Sequence, residues 1–296
     1  MKSSVCAVIV TYNTDKEFIQ RLQSLYQQVG RIIIIDNGSN QNTREILKET
    51  KQKFPNVELI ENVENVGLAS ALNQGVRIAL REDKCDWILT LDDDSEVGPE
   101  MVPKMLEAYS SFTDEKKRNI AMLASNYITP KGPVFHRSDP LEVPGAITSG
   151  SLIKKDTFQK IGFFRDDFFI YCIDTEFSLR IRKYHLKVVL IPNAFLKHQQ
   201  NLRIKEEKPE IHSILGHKTI VSNSLPWRYY YIFRNSLFVY ADYWRTDFSS
   251  VLFGIFSNFH IIAKMLLFEK NKLKKIKMIL KGSLDALRGK SGKLQS

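Results

Sequence analysis

The chain has 296 residues, of which 43% are hydrophobic and 26% are charged, and only three are cysteines. Such a composition can bury a large core, which excludes an intrinsically disordered protein, and the few, widely spaced cysteines exclude a secreted disulfide scaffold. The formal net charge of +10 raises the question of a polyanionic partner, either a nucleic acid or an anionic membrane.

The positive charge lies at the C-terminal end of the sequence. Residues 264–296 contain ten lysines and arginines but only two acids, Glu269 and Asp285, so they carry a net charge of +8. The preceding residues share a net charge of about +2 and contain no known nucleic-acid-binding motif. We therefore expect no nucleic acid partner, and the charge of the tail bears on where the protein sits.

Short β-branched runs alternate with helical patterns through the first half of the sequence. We predict strands at Val5–Val10, Arg31–Ile35, Val57–Glu61, Trp87–Leu91 and Ile120–Ala124. We predict helices between them at Lys16–Gln28, Asn42–Phe54, Gly67–Arg81 and Pro99–Phe112. This alternation predicts an α/β fold with a mostly parallel sheet flanked by helices, whose ligands bind beyond the carboxyl ends of the strands.

The pattern changes in the second half. Loop residues dominate Thr129–Gly145, and we predict helices at Lys154–Ile161 and Asp174–Tyr184 and a strand at Lys187–Ile191. From Pro226 onward the sequence becomes aromatic and helical. We therefore predict a main domain over residues 1–225 and a helical C-terminal extension over residues 226–296.

The C-terminal extension mixes lysines with apolar residues. The pattern over Phe259–Leu280 is that of a basic amphipathic stretch suited to the surface of an anionic membrane. The alternative is a terminal core helix with a solvated lysine face. The most apolar run, Val251–Phe268, is interrupted by four polar residues, so we expect an interfacial helix here rather than a membrane-spanning one.

Polar residues follow the first four predicted strands, at points that a parallel sheet brings to one edge. These segments are Thr11-Tyr12-Asn13, Asp36-Asn37-Gly38-Ser39, Glu64-Asn65-Val66-Gly67 and Asp92-Asp93-Asp94-Ser95. One such segment alone would be ordinary turn chemistry. Four in succession predict a binding site at that edge of the sheet.

The acidic segment Asp92-Asp93-Asp94 points to a metal. Adjacent carboxylates repel one another unless positive charge lies nearby. One or two such oxygens suit Mg²⁺ or Mn²⁺, with water and a substrate diphosphate completing the coordination shell. The alternative is an acidic loop that caps the helix following Pro99. No Gly-x-Gly-x-x-Gly or P-loop motif follows a strand, which argues against those nucleotide sites.

The order and spacing of these motifs resemble a known family. The first-half motifs are Val8-Ile9-Val10-Thr11-Tyr12-Asn13, Ile35-Asp36-Asn37-Gly38-Ser39, Asn65-Val66-Gly67 and Leu91-Asp92-Asp93-Asp94-Ser95. They resemble family 2 of the inverting glycosyltransferases, which have the Rossmann-like, nucleotide-sugar-binding GT-A fold. Further motifs resemble its bacterial rhamnosyltransferase branch, namely Thr148-Ser149-Gly150-Ser151, Ile161-Gly162-Phe163-Phe164, Phe168–Arg180 and Arg228–Asn235. The resemblance spans roughly residues 5–240.

The resemblance implies a nucleotide-sugar site at the strand ends. Asp36 would accept a hydrogen bond from the N3–H group of a uracil or thymine base, and Thr11 would help to hold that base. Asn65 and Gly67 would line the nucleotide site.

The resemblance also implies a divalent cation, Mg²⁺ or Mn²⁺, bound through an acid-x-acid motif. Asp92 and Asp94 match this motif, and Asp92 would also contact the ribose. His198 stands where the family often places a metal-binding histidine. Arg228 and Arg234 are candidates for contact with the diphosphate, or this segment only packs the second half of the chain against the first.

Asp174 matches the general base of the family. It is predicted at a helix start, where the helix dipole favours a carboxylate and lowers its pKa, although an ordinary helix cap is the alternative interpretation. Glu176 and Arg180 are four residues apart and can pair structurally. Ser149 and Gly150 would lie near the acceptor side of the site.

The sequence departs from the rhamnosyltransferase branch at two places. Asp93, which we still assign to the nucleotide-sugar site, stands where the branch often has glutamine, and Tyr171-Cys172 replaces a position that is often acidic. We therefore keep UDP-galactofuranose, UDP-hexose and UDP-N-acetylhexosamine as alternative donors to dTDP-β-L-rhamnose. A catalytically silent, membrane-associated module that binds a glycan or nucleotide is the alternative from another class.

The resemblance implies transfer in one displacement, with inversion, onto a hydroxyl group of a lipid-linked cell-surface polysaccharide precursor. The cysteine content suits a reducing compartment. We expect a cytoplasmic enzyme that is peripheral on the inner face of the cell membrane and touches anionic lipid through its basic tail. A homo-oligomer is left open.

Overall fold

The computed structural model describes residues 4–81, 83–129, 132–198, 210–214, 217–221 and 223–295, with the backbone alone for residues 198, 210–214 and 217–221. Its contacts divide the chain into two compact units. The first comprises Met1–Phe169 and Ile173–Gln200, and the second comprises Ile170–Cys172 and Asn201–Ser296. The domain boundary expected after residue 225 stays a prediction.

The first unit begins with the alternating strands and helices that the sequence predicts. In chain order these are β1 (Val5–Thr11), α1 (Phe18–Tyr26), β2 (Arg31–Asp36), α2 (Gln41–Lys53), β3 (Val57–Glu61), α3 (Leu68–Leu80) and β4 (Trp87–Asp92). Strand β1 pairs in parallel with β2 on one side and with β4 on the other, and β2 pairs in parallel with β3. The carboxyl ends of these four strands therefore lie along one edge of the sheet.

The remaining elements of the first unit make the sheet mixed. They are β5 (Ser95–Val97), α4 (Met101–Ser110), α5 (Asp114–Asn119), β6 (Ile120–Thr129), β7 (Gly132–Pro133), β8 (Leu141–Val143), β9 (Ser151–Lys154), α6 (Lys155–Ile161), α7 (Ile173–Lys183) and β10 (Lys187–His198). The strand order is β3-β2-β1-β4-β9-β6-β10-β5. Strand β9 lies antiparallel between β4 and β6. The sequence does not predict β5 or β9, because such short strands carry too little periodicity.

Burial on both faces of the sheet explains why its strands are aliphatic. All seven residues of β1 are buried, and so are the four isoleucines of β2. Helix α1 packs Phe18, Leu22 and Leu25 into the same core cluster as Ile32 and Ile34. Each fully buried side chain of this kind contributes ~1.5–3 kcal/mol, so the core holds the strand ends, and the polar residues that follow them, in fixed positions.

The second unit contains a hairpin and three helices in the described part of the chain. These are β11 (Glu210–Ile214), β12 (His217–Val221), α8 (Pro226–Tyr243), α9 (Phe248–Phe268) and α10 (Lys272–Leu287). Tyr229 and Phe233 of α8 form a small core with Met265 of α9. The aromatic start of α8 is therefore largely internal to this unit.

The stretch Phe259–Leu280 that the sequence presents as one amphipathic pattern is divided between two helices. The chain turns at Asn271, whose φ is 57°. Glu269 is buried before this turn and accepts hydrogen bonds from Tyr229 Oη at 2.7 Å and Lys275 Nζ at 2.6 Å. These internal contacts, which the periodicity cannot show, fix the corner between α9 and α10.

Within the described residues, α9 is the one helix long and apolar enough to cross a membrane by length and composition. An 18-residue stretch of this 21-residue helix has a mean hydropathy of 1.8, and 11% of that stretch is buried. The same length and composition suit a helix that lies along a membrane surface. Two residues of α9, Val251 and Met265, are buried, and eight of its apolar residues are exposed.

Candidate functional site

Thr11 at the end of β1 and Asp36 at the end of β2 lie side by side. Both side chains are fully buried, and Thr11 Oγ1 donates a hydrogen bond to Asp36 Oδ1 at 3.3 Å. Asp36 also accepts hydrogen bonds from Ser39 N at 3.2 Å and from the Ser39 hydroxyl. A carboxylate offers about four lone-pair sites, so Asp36 is held in one orientation and retains acceptor capacity for an N–H group.

Asn65 and Gly67 connect β3 to α3 through a hydrogen-bonded turn. Asn65 Oδ1 accepts from Gly67 N at 2.9 Å and from Asn37 Nδ2 at 3.2 Å, while Asn37 Oδ1 accepts from Val66 N at 3.0 Å. Gly67 has a φ of 92°, and a Cβ there would lie 2.7 Å from the Phe169 ring. Glycine is therefore required here, because this turn packs directly against the loop that carries Phe169.

The acidic turn after β4 is supported by serines. Asp92 N donates to Ser149 Oγ at 3.1 Å, and the hydroxyls of Ser95 and Ser149 are 2.7 Å apart. Gly150 has a φ of 74°, and a Cβ there would collide with Ser125 Oγ. Ser149, which the resemblance places on the acceptor side, thus holds the backbone of the acidic turn in place, and Gly150 beside it packs against Ser125.

Asp93 is held from two directions, by Tyr12 just after β1 and by Arg21 of α1. Asp93 Oδ2 accepts from Tyr12 N at 3.4 Å, and its carbonyl accepts from Arg21 Nε at 2.9 Å. Arg21 is buried and pairs with Asp15 at 2.5 Å. The sequence analysis missed Arg21. The signal for it is a charged residue on the apolar face of α1, three positions after Phe18.

The acidic turn does not cap the helix that follows it. Strand β5 separates the turn from α4, and Glu100, the residue before α4, makes no side-chain capping hydrogen bond. The interpretation of these acids as a helix cap is therefore wrong.

Burial and repulsion between neighbouring carboxylates change the pKa values of residues at the acidic turn. Burial first, and then the charges of Asp94, Asp93 and Asp174, raise the pKa of Asp92 to about 7. Burial, and then the charge of Asp92, also raises the pKa of Tyr127. The site thus holds more negative charge than its own residues balance, which favours a bound cation or a proton.

Asp174 lies in the first turn of α7, within electrostatic reach of Asp92. The expectation that the helix dipole lowers the pKa of Asp174 is wrong. Burial raises its pKa above the ordinary value, against the opposing effect of hydrogen bonds that include Thr175 N to Asp174 Oδ1 at 2.8 Å. Helix α7 already begins at Ile173, so Asp174 is not the cap residue of that helix either. A raised pKa makes the ionised carboxylate a stronger base.

The loop before Asp174 has an unusual backbone. Phe169, Tyr171 and Cys172 have φ values of 64°, 67° and 59°, a region that costs such residues ~1–3 kcal/mol each. The Phe169 carbonyl accepts a hydrogen bond from Leu68 N at 2.7 Å. The loop is therefore held in a conformation that its own residues do not favour.

In the second unit, Asn235 of α8 fastens part of this loop. Its Nδ2 donates to the carbonyls of Ile170 at 2.8 Å and Tyr171 at 3.0 Å. Asn235 Oδ1 accepts from Arg234 Nε at 2.9 Å, and Arg234 Nη1 donates to the Gly292 carbonyl at 2.6 Å. Arg234 is fully buried within its unit, so its expected contact with a diphosphate is replaced by a structural role.

Arg228, the other arginine of this segment, lies in the first turn of α8 and is partly exposed. Its guanidinium is 5.8 Å from the centre of the Trp227 ring. Its contact with a diphosphate stays a prediction.

Glu176 and Arg180 form the ion pair that their spacing predicts. Arg180 Nε donates to Glu176 Oε1 at 3.0 Å, and a second contact joins Arg180 Nη2 to Glu176 Oε2. Arg180 Nη1 also donates to the carbonyls of Ile161 at 3.0 Å and Phe163 at 2.7 Å. The pair fastens α7 to the turn after α6 and is a structural feature, which leaves Asp174 as the acid of this turn available for chemistry.

The acidic turn fits a hard divalent cation by its chemistry. Asp92 and Asp94 present carboxylate oxygens, and after burial the charges of neighbouring acids raise the pKa of Asp92, a repulsion that a cation would relieve. Among the described residues, no three His, Cys, Asp or Glu side chains form a closed metal site. The backbone of His198 pairs with that of Ser95, beside the turn, whereas its side chain lies outside the described residues. Mg²⁺ and Mn²⁺ use open carboxylate sites of this kind when a diphosphate supplies further oxygens.

Comparison with known sequences gives a consistent set of similarities. The family model for glycosyl transferase family 2 matches residues 6–174. A dTDP-rhamnosyl transferase of Shigella flexneri is 28% identical over 99% of this chain and 98% of its own length. An N-acetylglucosaminyl-diphospho-decaprenol L-rhamnosyltransferase of Mycobacterium tuberculosis is 23% identical over 65% of this chain and 75% of its own.

Comparison with solved structures shows a similar fold. A mannosyltransferase from Pyrobaculum calidifontis, solved with GDP-mannose and Mn²⁺, superposes with a TM-score of 0.59 at 12% identity, over 98% of this chain and 88% of that one. GalNAc-T7, solved with UDP, GalNAc and Mn²⁺, gives a TM-score of 0.55 at 16% identity, over 66% of this chain and 43% of that one.

Proposed function

Because this chain belongs to glycosyltransferase family 2 and has the GT-A fold, we propose that it transfers L-rhamnose from dTDP-β-L-rhamnose to a hydroxyl group. The acceptor in this proposal is a lipid-linked precursor of a cell-surface polysaccharide. The reaction is a single displacement with inversion, so a β-linked donor gives an α-linked product.

One observation carries the proposal, which is the electrostatic coupling of Asp92 and Asp174. The charge of Asp174 is the last of four causes that raise the pKa of Asp92, which supports assigning these two acids to one site. A displacement at a sugar carbon needs groups on both sides of that carbon, one for the leaving diphosphate and one for the incoming hydroxyl. Asp92 and Asp94 serve the first role and Asp174 serves the second.

The nucleoside is assigned to the ends of β1, β2 and β3. The oriented carboxylate of Asp36 accepts the N3–H of a pyrimidine base, with Thr11 beside it. Asn65 and Gly67 line the nucleotide, and Asp93 completes the donor site. Thymine and uracil present the same N3–H group, so this contact suits dTDP-rhamnose and UDP sugars equally.

Asp174 acts as the general base. Its carboxylate takes the proton of the acceptor hydroxyl while the hydroxyl oxygen bonds to the anomeric carbon and the bond from that carbon to the diphosphate oxygen breaks. The proton ends on Asp174 and the electron pair leaves with the nucleoside diphosphate. The raised pKa of Asp174 increases its proton affinity and thereby favours this step.

The acidic turn would hold Mg²⁺ or Mn²⁺ through Asp92 and Asp94, with His198 as a third ligand. Such a cation, when bound, stabilises the negative charge of the departing diphosphate as a Lewis acid. Ser149 and the buried Arg21 keep the backbone of the turn in position for that role. The mannosyltransferase and GalNAc-T7 structures, which contain Mn²⁺, support this assignment.

The lipid-linked acceptor is supported by the Mycobacterium tuberculosis relative. Its name specifies a decaprenol-linked acceptor. An enzyme with such an acceptor works where the lipid is, so we place this chain at the inner face of the cell membrane.

The test is a comparison of donors on the purified full chain with Mn²⁺. We expect dTDP-rhamnose to raise the unfolding temperature more than UDP-galactose, UDP-galactofuranose or UDP-N-acetylglucosamine at the same concentration. The donor with the lowest Kd stabilises the folded protein most, and a ligand at a hundred times its Kd contributes ~2.7 kcal/mol. Transfer to a hydroxylated acceptor should give an α-rhamnoside by NMR. If a UDP sugar gives the larger rise in unfolding temperature and is alone turned over, that sugar is the donor and dTDP-rhamnose is not. Binding without turnover for every donor and acceptor would favour a catalytically silent module.

A further inference from the structure

An apolar stripe runs along the exposed side of α9. Its four phenylalanines are between 62% and 76% exposed, and other exposed apolar residues lie among them. The members of this stripe, which we call the α9 stripe, are Phe248, Leu252, Phe253, Phe256, Phe259, Ala263, Leu266 and Leu267. Intervals of three and four residues place them on one face of the helix. An exposed apolar surface of this kind marks an interaction site.

The opposite side of α9 is packed within its own unit. Val251 and Met265 are buried, and Asn258 Nδ2 donates to Tyr240 Oη at 2.9 Å. A Cβ at Gly254 would lie 2.8 Å from the Tyr240 ring. A membrane-spanning helix would have to break these contacts and bury Asn258 in lipid. The geometry therefore fits a helix that lies in the plane of a membrane, with one side on the protein and the other toward lipid.

The charges next to α9 indicate which kind of partner surface the α9 stripe would bind. The only two acids of residues 264–295 are Glu269 and Asp285, and both are buried. Glu269 is paired with Lys275, and Asp285 accepts a hydrogen bond from Tyr230 Oη at 2.9 Å. The exposed charges of this stretch are all positive: Lys270, Lys272, Lys274, Lys277, Lys281, Arg288, Lys290 and Lys293.

We propose that the α9 stripe docks in the plane of an anionic phospholipid bilayer, with the exposed lysines of α10 on the headgroups. Helices that lie in the membrane interface combine an apolar face that enters the acyl boundary with basic residues that bind anionic lipid. This surface deepens the proposed function, since it would bring the enzyme to a lipid-linked acceptor.

A second copy of this chain fits the surface less well than lipid does. Pairing two copies through α9 would bring two stretches with a net charge of +8 toward one another, and like charges repel. An anionic bilayer satisfies the apolar stripe and the lysines together. Charge complementarity therefore selects the bilayer as the partner.

The test is co-sedimentation of the full chain with vesicles. We compare phosphatidylcholine vesicles with vesicles of phosphatidylcholine and phosphatidylglycerol, at low and high salt. We expect binding to the anionic vesicles that weakens with salt. The double substitution F253S/F256S should weaken it by ~10-fold or more, and K272Q/K274Q/K277Q should weaken it by a similar factor.

Matched controls remove similar side chains elsewhere. V134S/Y184S replaces two exposed apolar residues of the first unit, and K48Q/K51Q/K160Q replaces three exposed lysines of the first unit. Both controls should bind vesicles like the unaltered protein. Circular dichroism and the unfolding temperature verify that every variant is folded.

Three outcomes would overturn the proposal. Vesicle binding that F253S/F256S leaves unchanged removes the role of the α9 stripe, and equal binding to both kinds of vesicle removes the anionic partner. If the protein does not bind vesicles but forms dimers, and F253S/F256S abolishes those dimers, the α9 stripe is an interface between two copies instead. Donor turnover with a water-soluble acceptor, measured without vesicles, reports separately on the proposed function and should be the same in F253S/F256S.

Discussion

Asp174 is subject to two opposing influences on its charge. Its hydrogen bonds with Thr175 stabilise the carboxylate, whereas burial destabilises it, and burial dominates. The proposed base is therefore a carboxylate with a raised proton affinity. Its charge contributes to the raised pKa of Asp92. We expect the acid limb of the pH profile of kcat/KM to lie above the ordinary aspartate range, with activity rising as Asp174 loses its proton.

The substitution Asp174→Asn tests this residue directly. An amide cannot accept the proton, so we expect kcat to fall by at least ~10²-fold, the scale of general-base catalysis. Donor affinity, measured by calorimetry, should stay near that of the unaltered enzyme.

Asp166→Asn is the matched control, because Asp166 is an exposed acid of the same loop. Its kcat should not change. A loss of donor binding in Asp174→Asn as large as the loss of kcat would assign Asp174 to the donor site and not to proton transfer.

At the scale of the element, the loop before α7 depends on a clamp. Phe169, Tyr171 and Cys172 hold left-handed backbone conformations, and Asn235 donates to two carbonyls within that run. The chain reaches Asp174 two residues after Cys172, so a relaxed loop would shift the start of α7. The backbone conformation that Asn235 holds therefore lies directly before the start of α7.

The substitution Asn235→Ala removes this clamp. The loss of two hydrogen bonds to partly buried carbonyls should lower the free energy of unfolding by ~1–3 kcal/mol. We also expect kcat to fall about tenfold or more with little change in KM for the donor, because a misplaced base affects the chemical step. Steady-state kinetics and urea denaturation measure the two effects.

Asn258→Ala is the comparison for this variant, since Asn258 makes one side-chain hydrogen bond to Tyr240 within the same unit. It should lower stability modestly and leave kcat unchanged. If Asn235→Ala keeps the same kcat as Asn258→Ala, the hydrogen bonds of Asn235 contribute to stability alone.

At the scale of the whole molecule, the sequence predicts the parts that depend on local signals. The aliphatic runs of β1 to β4 identify a buried parallel sheet, and a parallel sheet necessarily brings its strand ends to one edge. That is why Thr11 and Asp36, at the ends of β1 and β2, are found in contact. The family and the fold follow from the same motifs.

Features that depend on long-range contacts could not be predicted. Strand β9 is inserted antiparallel between β4 and β6, and no property of its four residues indicates that position. The pKa of Asp174 is set by burial from the rest of the fold, which outweighs the local helix dipole. Arg21 and the corner at Glu269 likewise acquire their roles from partners far away in the sequence.

The acidic site also predicts how the stability of the whole protein depends on pH. Native Asp92 has a pKa of about 7, whereas an unfolded aspartate titrates near ~4. Between these values the native state binds more protons than the unfolded state, so the free energy of unfolding falls as pH rises. The shift for Asp174 has the same direction. We expect the protein in chelator to be more stable at pH 5 than at pH 8, and Asp92 contributes at most ~3 kcal/mol of this difference, less after solvent screening.

Urea denaturation across this range, on the unaltered chain and on Asp92→Asn, measures the effect. Asp92→Asn should flatten the dependence, whereas Asp156→Asn, an exposed acid remote from the acidic turn in sequence, should retain it. Mn²⁺ should stabilise the protein more at pH 8 than at pH 5, because protons and the cation compete for the same carboxylate. An equal effect of Mn²⁺ at both values, or in Asp92→Asn, would place the cation elsewhere and remove Asp92 from the proposed metal site.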